Sequence, residues 1–209
     1  MKSLENQNVI LVGNSVEILL YEHGKWIDSF DKVIRMGRGL PTKENSKAIG
    51  TRTDVWVTGF LREGWVKSVP DAEVLLNRCR MHLTNPREWD IEGTEMFTDK
   101  ELLKIYKEFD YQDDSWIGRP SNGFVTILYL IKKAWIWKSL TLIGFDFFAK
   151  SLPFKVGEAE PHSWHLPHNR VNETPHKADT ERAYALDLYE TGVIDWKILS
   201  DLKVENVEF

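Results

Sequence analysis

The sequence predicts an α/β fold: a mostly parallel sheet flanked by helices. Three observations carry this reading. Short apolar runs at residues 8–12, 53–58 and 141–146 are apolar at more than alternate positions, as in strands covered on both faces. Segments with helical spacing separate them. The chain, at 209 residues, is long enough to bury a sizeable core and reads as one domain over residues 1–209.

The first run, Asn-Val-Ile-Leu-Val at 8–12, breaks at Gly13-Asn14-Ser15 before a helical segment. Glycine there lets the backbone pass close to a ligand, and the new helix offers free N–H groups to an anion. Residues 31–35 read as a second strand, delivering Arg35. Residues 39–52 are polar and turn-rich, with Pro41 and Gly50, and residues 53–58 read as the next strand. Residues 59–70 form a connection carrying Trp65, and 72–77 a further strand candidate. Residues 82–95, with Pro86 and Trp89, show no regular pattern. Thr98 and Glu101 make a capping-box signature before a stripe of Leu102, Leu103, Ile105, Tyr106 and Phe109.

After a polar loop at 111–118, Arg119-Pro120-Ser121-Asn122-Gly123 opens the longest apolar helix, expected over 124–136. Its start resembles the opening unit: small polar residues and a glycine at a helix N-terminus. Residues 141–146 form a buried strand ending in Gly144 and Asp146. Residues 153–175 are histidine-rich and low in pattern. Residues 179–189 read as a helix closed by Gly192, with a short final strand near the C-terminus. In such folds ligands sit beyond the carboxyl ends of the strands, so Gly13, Asn14, Ser15, Arg35, Ser121, Asn122, Gly123 and Asp146 are expected to converge there.

Composition narrows the function. A net charge of −5 without a long basic stripe argues against a non-specific nucleic-acid binder. Cys79 is the only cysteine, so no intrachain disulfide forms and the fold does not need an oxidising compartment. The polar start, MKSLENQ, gives no leader or anchor, and lysines interrupt the apolar stretch at 124–148. The expectation is a cytoplasmic enzyme or small binding domain.

His162, His165, His168 and His176 crowd into fifteen residues. Zinc is the first thought, but there is no H-E-x-x-H helix and the lone cysteine is distant, so no metal is expected. His176 and Glu181 form the more telling pair. Two readings of it stand: a general base with a carboxylate to orient it, or a solvated histidine beside a helix cap. Ser15 and Ser121 lie outside G-x-S-x-G, so no covalent nucleophile is indicated. A site that binds an anion and supplies a base suits direct displacement at an activated carbon.

The segments VILVGNS, WIDSFDKVIRM and AIGTRTDVW together resemble the large motif of glycosyltransferase family 29, the eukaryotic-type sialyltransferases. RPSNG with the following apolar helix and LTLIGFDFF resembles the small motif. HSW at 162–164 resembles the third, and HKADTE the very small motif. The four occur in the family's order. The resemblance implies a Rossmann-like, GT-A-like nucleotide-binding domain and an inverting, metal-independent transfer, with no cofactor beyond the nucleotide-sugar substrate. A sugar, sialic acid as first expectation, would pass from a CMP-linked donor to an acceptor hydroxyl, most simply a glycan's. By the same resemblance Asn14 would bind the donor nucleotide and phosphate, and Ser121, Asn122 and Gly123 the phosphate and sugar carboxylate. His162 would contact the phosphate. His176 would deprotonate the acceptor, with Glu181 as its structural or electrostatic partner.

The chain departs from the family at several points. Gly37 stands where the family has a phosphate-binding asparagine, with Arg38 next to it as an expected substitute. Asn122 replaces a threonine and Ser163 a tyrosine. The disulfide that joins the large and small motifs in the secretory enzymes cannot form. These changes leave three alternatives: another nucleotide sugar, a non-glycan acceptor, or a nucleotide-binding domain without catalysis. The negative charge counts against a nucleic-acid acceptor.

Overall fold

A computed structural model describes residues 2–37, 39–58, 71–77, 93–111, 120–147 and 177–198. Among the described residues, seven strands form one sheet in the order β5-β4-β3-β2-β1-β6-β7, and every pairing is parallel. They are β1 (Asn8–Val12), β2 (Lys32–Met36), β3 (Val55–Thr58), β4 (Glu73–Leu76), β5 (Thr94–Glu95), β6 (Ser139–Ile143) and β7 (Asp195–Lys197). Strand order runs outward from β1 to β5 on one side and continues with β6 and β7 on the other. The reversal between β1 and β6 is the point where open α/β sheets gather ligands.

Both faces of the sheet are covered. Val9 and Leu11 of β1 join Ile34, Met36, Val55, Val57, Leu140 and Leu142 in one core. That core also takes α3 (Asp99–Glu108), α4 (Asn122–Lys132) and α5 (Ala178–Glu190). The alternate residues Ile10, Val12, Val33 and Ile143 pack on the opposite face. Against them lie a 3₁₀ helix (Val16–Leu20), α1 (Gly24–Asp28) and α2 (Ser46–Ile49). A period-2 alternation with both phases apolar is what a two-sided sheet requires.

Local chemistry explains the helix boundaries. Thr98 and Glu101 close the expected capping box on α3. The carboxylate of Glu101 is held well down, to about 2, chiefly by the Thr98 backbone N–H. In α4, Ser121 is the N-cap, and every residue from Phe124 to Leu130 is buried, as befits a helix laid over a sheet centre. It stops at Lys132, short of the expected 136, and Lys133 caps it. The helical segment expected after Ser15 is a 3₁₀ turn followed by the short α1. β6 begins two residues earlier than expected and ends at Ile143, because Gly144 turns the chain with φ +72.

Among the described residues, no helix is long and apolar enough to cross a membrane. The expected features at 59–70, 82–92, 112–118 and 153–175 lie outside the described residues, as do Cys79 and the histidines at 162, 165, 168 and 176.

Candidate functional site

The reversal point is built from main chain. A side chain on Gly13 would land on the carbonyl oxygen of Gly144, with the carbonyl carbon at 2.7 Å and the Phe145 ring at 2.9 Å. With glycine there, the ends of β1 and β6 meet. Gly13 N–H donates to Ile143 O at 2.7 Å and Ser15 N–H to Gly144 O at 3.0 Å. Ser15 is buried and caps the 3₁₀ helix, accepting from Glu17 N–H at 3.3 Å. Asp146 lies two residues past Gly144, half-buried on the turn that leaves β6.

Asn14 stands beside this junction. Its Nδ2 donates to Met36 O at 3.1 Å, which ties the β1 turn to the end of β2. Its Oδ1 is buried with no hydrogen-bond partner among the described residues, and Gly39 packs against that amide where no side chain would fit. A buried acceptor left open at the strand-order reversal is a position waiting for a donor. Gly37, next along from β2, adopts φ +50, and a Cβ there would meet nothing within 4 Å among the described residues. Arg38 lies outside the described residues.

The N-terminus of α4 forms the other wall. Ser121 Oγ accepts from Phe124 N–H at 3.1 Å, and the first turn carries Asn122 and Gly123. Gly123 sits under Phe145, whose ring a Cβ would meet at 2.8 Å, so α4 and the end of β6 are in contact. Asn122 Oδ1 accepts from Asn77 Nδ2 at 2.7 Å. Asn77 is buried at the carboxyl end of β4 and fixes the Asn122 amide. No motif in the sequence singles out Asn77, whose one signal is its place as a polar residue directly after the apolar Val74-Leu75-Leu76.

Glu181 and Arg35 occupy positions the sequence did not anticipate. Glu181 is fully buried. It accepts Ser121 N–H at 2.7 Å, Ser121 Oγ–H at 2.5 Å and Tyr111 O–H at 3.0 Å. Burial pushes its carboxyl up to about 7, against the pull of the Ser121 and Tyr111 hydrogen bonds. Burial, followed by the charge of Glu181, raises the Tyr111 phenol. Arg35, also fully buried, donates from Nε to Arg52 O at 2.7 Å and from Nη2 to Ile49 O at 2.5 Å. Burial lowers its guanidinium to about 10, so it stays charged at neutral pH and serves the backbone at the end of α2. Gly13, Asn14, Ser15, Ser121, Asn122, Gly123 and Asp146 thus gather around the β1/β6 junction and α4, while Nε and Nη2 of Arg35 serve the carbonyls of Arg52 and Ile49 and its Nη1 is buried without a partner among the described residues. His162 and His176 lie outside the described residues.

Comparison with known proteins places the fold. The profile of glycosyltransferase family 29 (sialyltransferase) matches residues 1–63, the segment that holds β1 to β3. The structure is similar to a crystal structure of a mammalian sialyltransferase, with a TM-score of 0.62 and 15% sequence identity. That match covers 92% of this chain and 69% of the other. It is similar also to a mammalian sialyltransferase in complex with Gal-beta-1-3GalNAc-ortho-nitrophenol, with a TM-score of 0.61, 15% identity and the same coverage. No curated protein sequence matches the chain. The relationship to the sialyltransferases is distant and lies at the level of the fold: a parallel α/β sheet flanked by helices, with the architecture of those glycosyltransferases.

Proposed function

We propose that the crevice at the β1/β6 junction binds a CMP-linked sugar, and that the protein is a glycosyltransferase acting on an acceptor hydroxyl. The observation that carries this reading is Asn14, whose buried Oδ1 has no donor among the described residues, at the ligand-gathering end of the sheet and tied to β2. A nucleotide's O–H or N–H groups supply such a donor. At the same junction, the first turn of α4 offers N–H groups and the Asn122 amide to the phosphate. The single unit over residues 1–209 and the sialic acid donor belong to the same proposal.

In this reading the acceptor oxygen attacks the anomeric carbon as the bond from that carbon to the phosphate oxygen breaks, inverting the centre in one displacement. His176 takes the acceptor's proton as general base. His162, with the α4 N-terminus, stabilises the charge gathering on the leaving CMP. Charge relief and base are all supplied by protein groups, so the step is drawn without a metal. A different nucleotide sugar is the second reading, favoured by Gly37, which brings no side-chain donor where the family has an asparagine.

The test is calorimetric titration of the full chain with CMP, UMP and GDP, followed by turnover of CMP-sialic acid. CMP is expected to bind most tightly, and His176→Ala to abolish transfer while CMP affinity stays within about twofold, because the base acts on the acceptor. Preference for another nucleotide transfers the reading to a different donor. Turnover that survives in His176→Ala removes that residue as the base. CMP binding without transfer by the wild type leaves a nucleotide-binding domain without catalysis.

A further inference from the structure

Glu181 is a buried carboxylate bonded only to neutral donors among the described residues. Its neighbours can be named element by element. Ser121 reaches it from α4 and Tyr111 from beyond the end of α3, with Tyr106 of α3 stacked edge-on behind Tyr111 at 5.8 Å. Lys177, at the start of α5, lies over the Tyr111 ring at 5.7 Å and pairs with Asp110 at 3.1 Å. Tyr184 on α5 faces Phe109 and Phe124. Ser121 is used twice: its Oγ accepts from Phe124 N–H while its hydroxyl hydrogen goes to Glu181 Oε2. The hydroxyl is therefore committed to the protein interior.

We propose that Glu181 is a positioning residue for the nucleotide site, holding Ser121 and the first turn of α4 as a carboxylate and taking up a proton when a nucleotide phosphate docks. The inference rests on the reading of the crevice as a CMP site. An anion at the start of α4 and a carboxylate on its N-cap compete for the same positive end of the helix. Burial already holds the carboxyl near neutrality, at about 7, so a second negative charge tips it. The neutral acid keeps accepting Ser121 N–H and Tyr111 O–H on Oε1. Its new O–H, with the proton drawn from solvent, donates to Ser121 Oγ. That oxygen then accepts from both Glu181 and Phe124, and its own hydrogen is released from the carboxylate. With that hydrogen donated to the docked phosphate, every polar atom keeps a partner and no group is orphaned.

The experiment measures proton uptake on CMP binding by the full chain at pH 7.5, by calorimetry in buffers of different ionisation enthalpy. The phosphate of CMP titrates alike in every variant, so the difference between wild type and Glu181→Gln isolates this residue. With the carboxyl at about 7, wild type should take up as much as roughly three quarters of a proton more than Glu181→Gln. Its CMP affinity should also fall by up to about tenfold per pH unit above pH 7, with a flatter profile in the amide variant. Tyr111→Phe removes a hydrogen bond that favours the carboxylate, so it should move the break in the affinity profile to higher pH, and it serves if Glu181→Gln does not fold. Equal uptake in wild type and Glu181→Gln, or an unmoved break in Tyr111→Phe, overturns the role of Glu181 while leaving the CMP site standing. Failure of the wild type to bind CMP in any buffer overturns the nucleotide reading and this proposal with it.

Discussion

Replacing Gly13 with alanine tests whether the β1/β6 junction tolerates anything but main chain. The added methyl would sit on the Gly144 carbonyl oxygen, 2.7 Å from its carbon and 2.9 Å from Cδ2 of Phe145. A side chain could rotate away, but the Gly144 carbonyl is backbone, so the two strand ends must separate. Overpacking of this kind costs about 1–3 kcal/mol. Separation also stretches the Gly13–Ile143 and Ser15–Gly144 hydrogen bonds, each contributing about 1 kcal/mol. The expected loss is about 3–5 kcal/mol, or a melting temperature lower by roughly 6–20 °C for a chain of this size. Urea unfolding gives the number, with Gly192→Ala as the control. Gly192 has φ +72 and open space around it, so alanine there meets only backbone strain of about 1–2 kcal/mol. A Gly13→Ala protein no less stable than Gly192→Ala would refute the close approach of the two strand ends.

Arg35→Met leaves the Ile49 and Arg52 carbonyls without their donor and should destabilise the fold by about 2–4 kcal/mol in urea. CMP affinity of the folded protein should not change, and a large loss of affinity would return Arg35 to the binding site. Gly37→Asn is expected to fold within about 1 kcal/mol of wild type, since asparagine accepts left-handed backbone better than other side chains. It should tighten CMP binding in the same titration; unchanged affinity would place residue 37 off the ligand. Stability should also carry a signature of Glu181. Its folded value of about 7 lies above the ordinary 4.5, so the native state holds the proton between the two. The group's contribution is therefore fully present below about pH 4.5 and is lost as pH rises to about 7, amounting to about 3 kcal/mol. Urea midpoints across this window should fall more steeply in wild type than in Glu181→Gln, and identical slopes would disprove the burial argument.

The layered fold could be read from the sequence because it is written locally. The runs at 8–12 and 31–35, the Thr98–Glu101 box and the apolar length of α4 each fall within a few residues, and each element forms close to where its pattern lies. The site was legible in part for the same reason: Gly13 and Ser121 mark a strand end and a helix start. Partners across the fold were not legible. Asn77 and Asn122 are 45 residues apart, and Glu181 lies 60 from Ser121, so no periodicity links them. Glu181 was expected to serve His176 because they are near in sequence; its observed partners come from elsewhere in the chain. Arg35 falls in the run at 31–35 that reads as a strand, but nothing local says that its head group turns to the backbone near α2. The two-residue β5 is too short for any pattern to mark it.

The bond between Glu181 and Ser121 also sets an order of events during synthesis. The cap of α4 is completed by a residue translated sixty positions later, and Tyr111 waits seventy positions for the same carboxylate. Contacts so distant in sequence form late, after the intervening chain has been closed into a loop. While the chain is still growing, Ser121 can meet only water and its own helix. The first turn of α4 therefore reaches its final state only when α5 has docked. A chain arrested before residue 181 could assemble β1 to β6 and still hold an unfinished site.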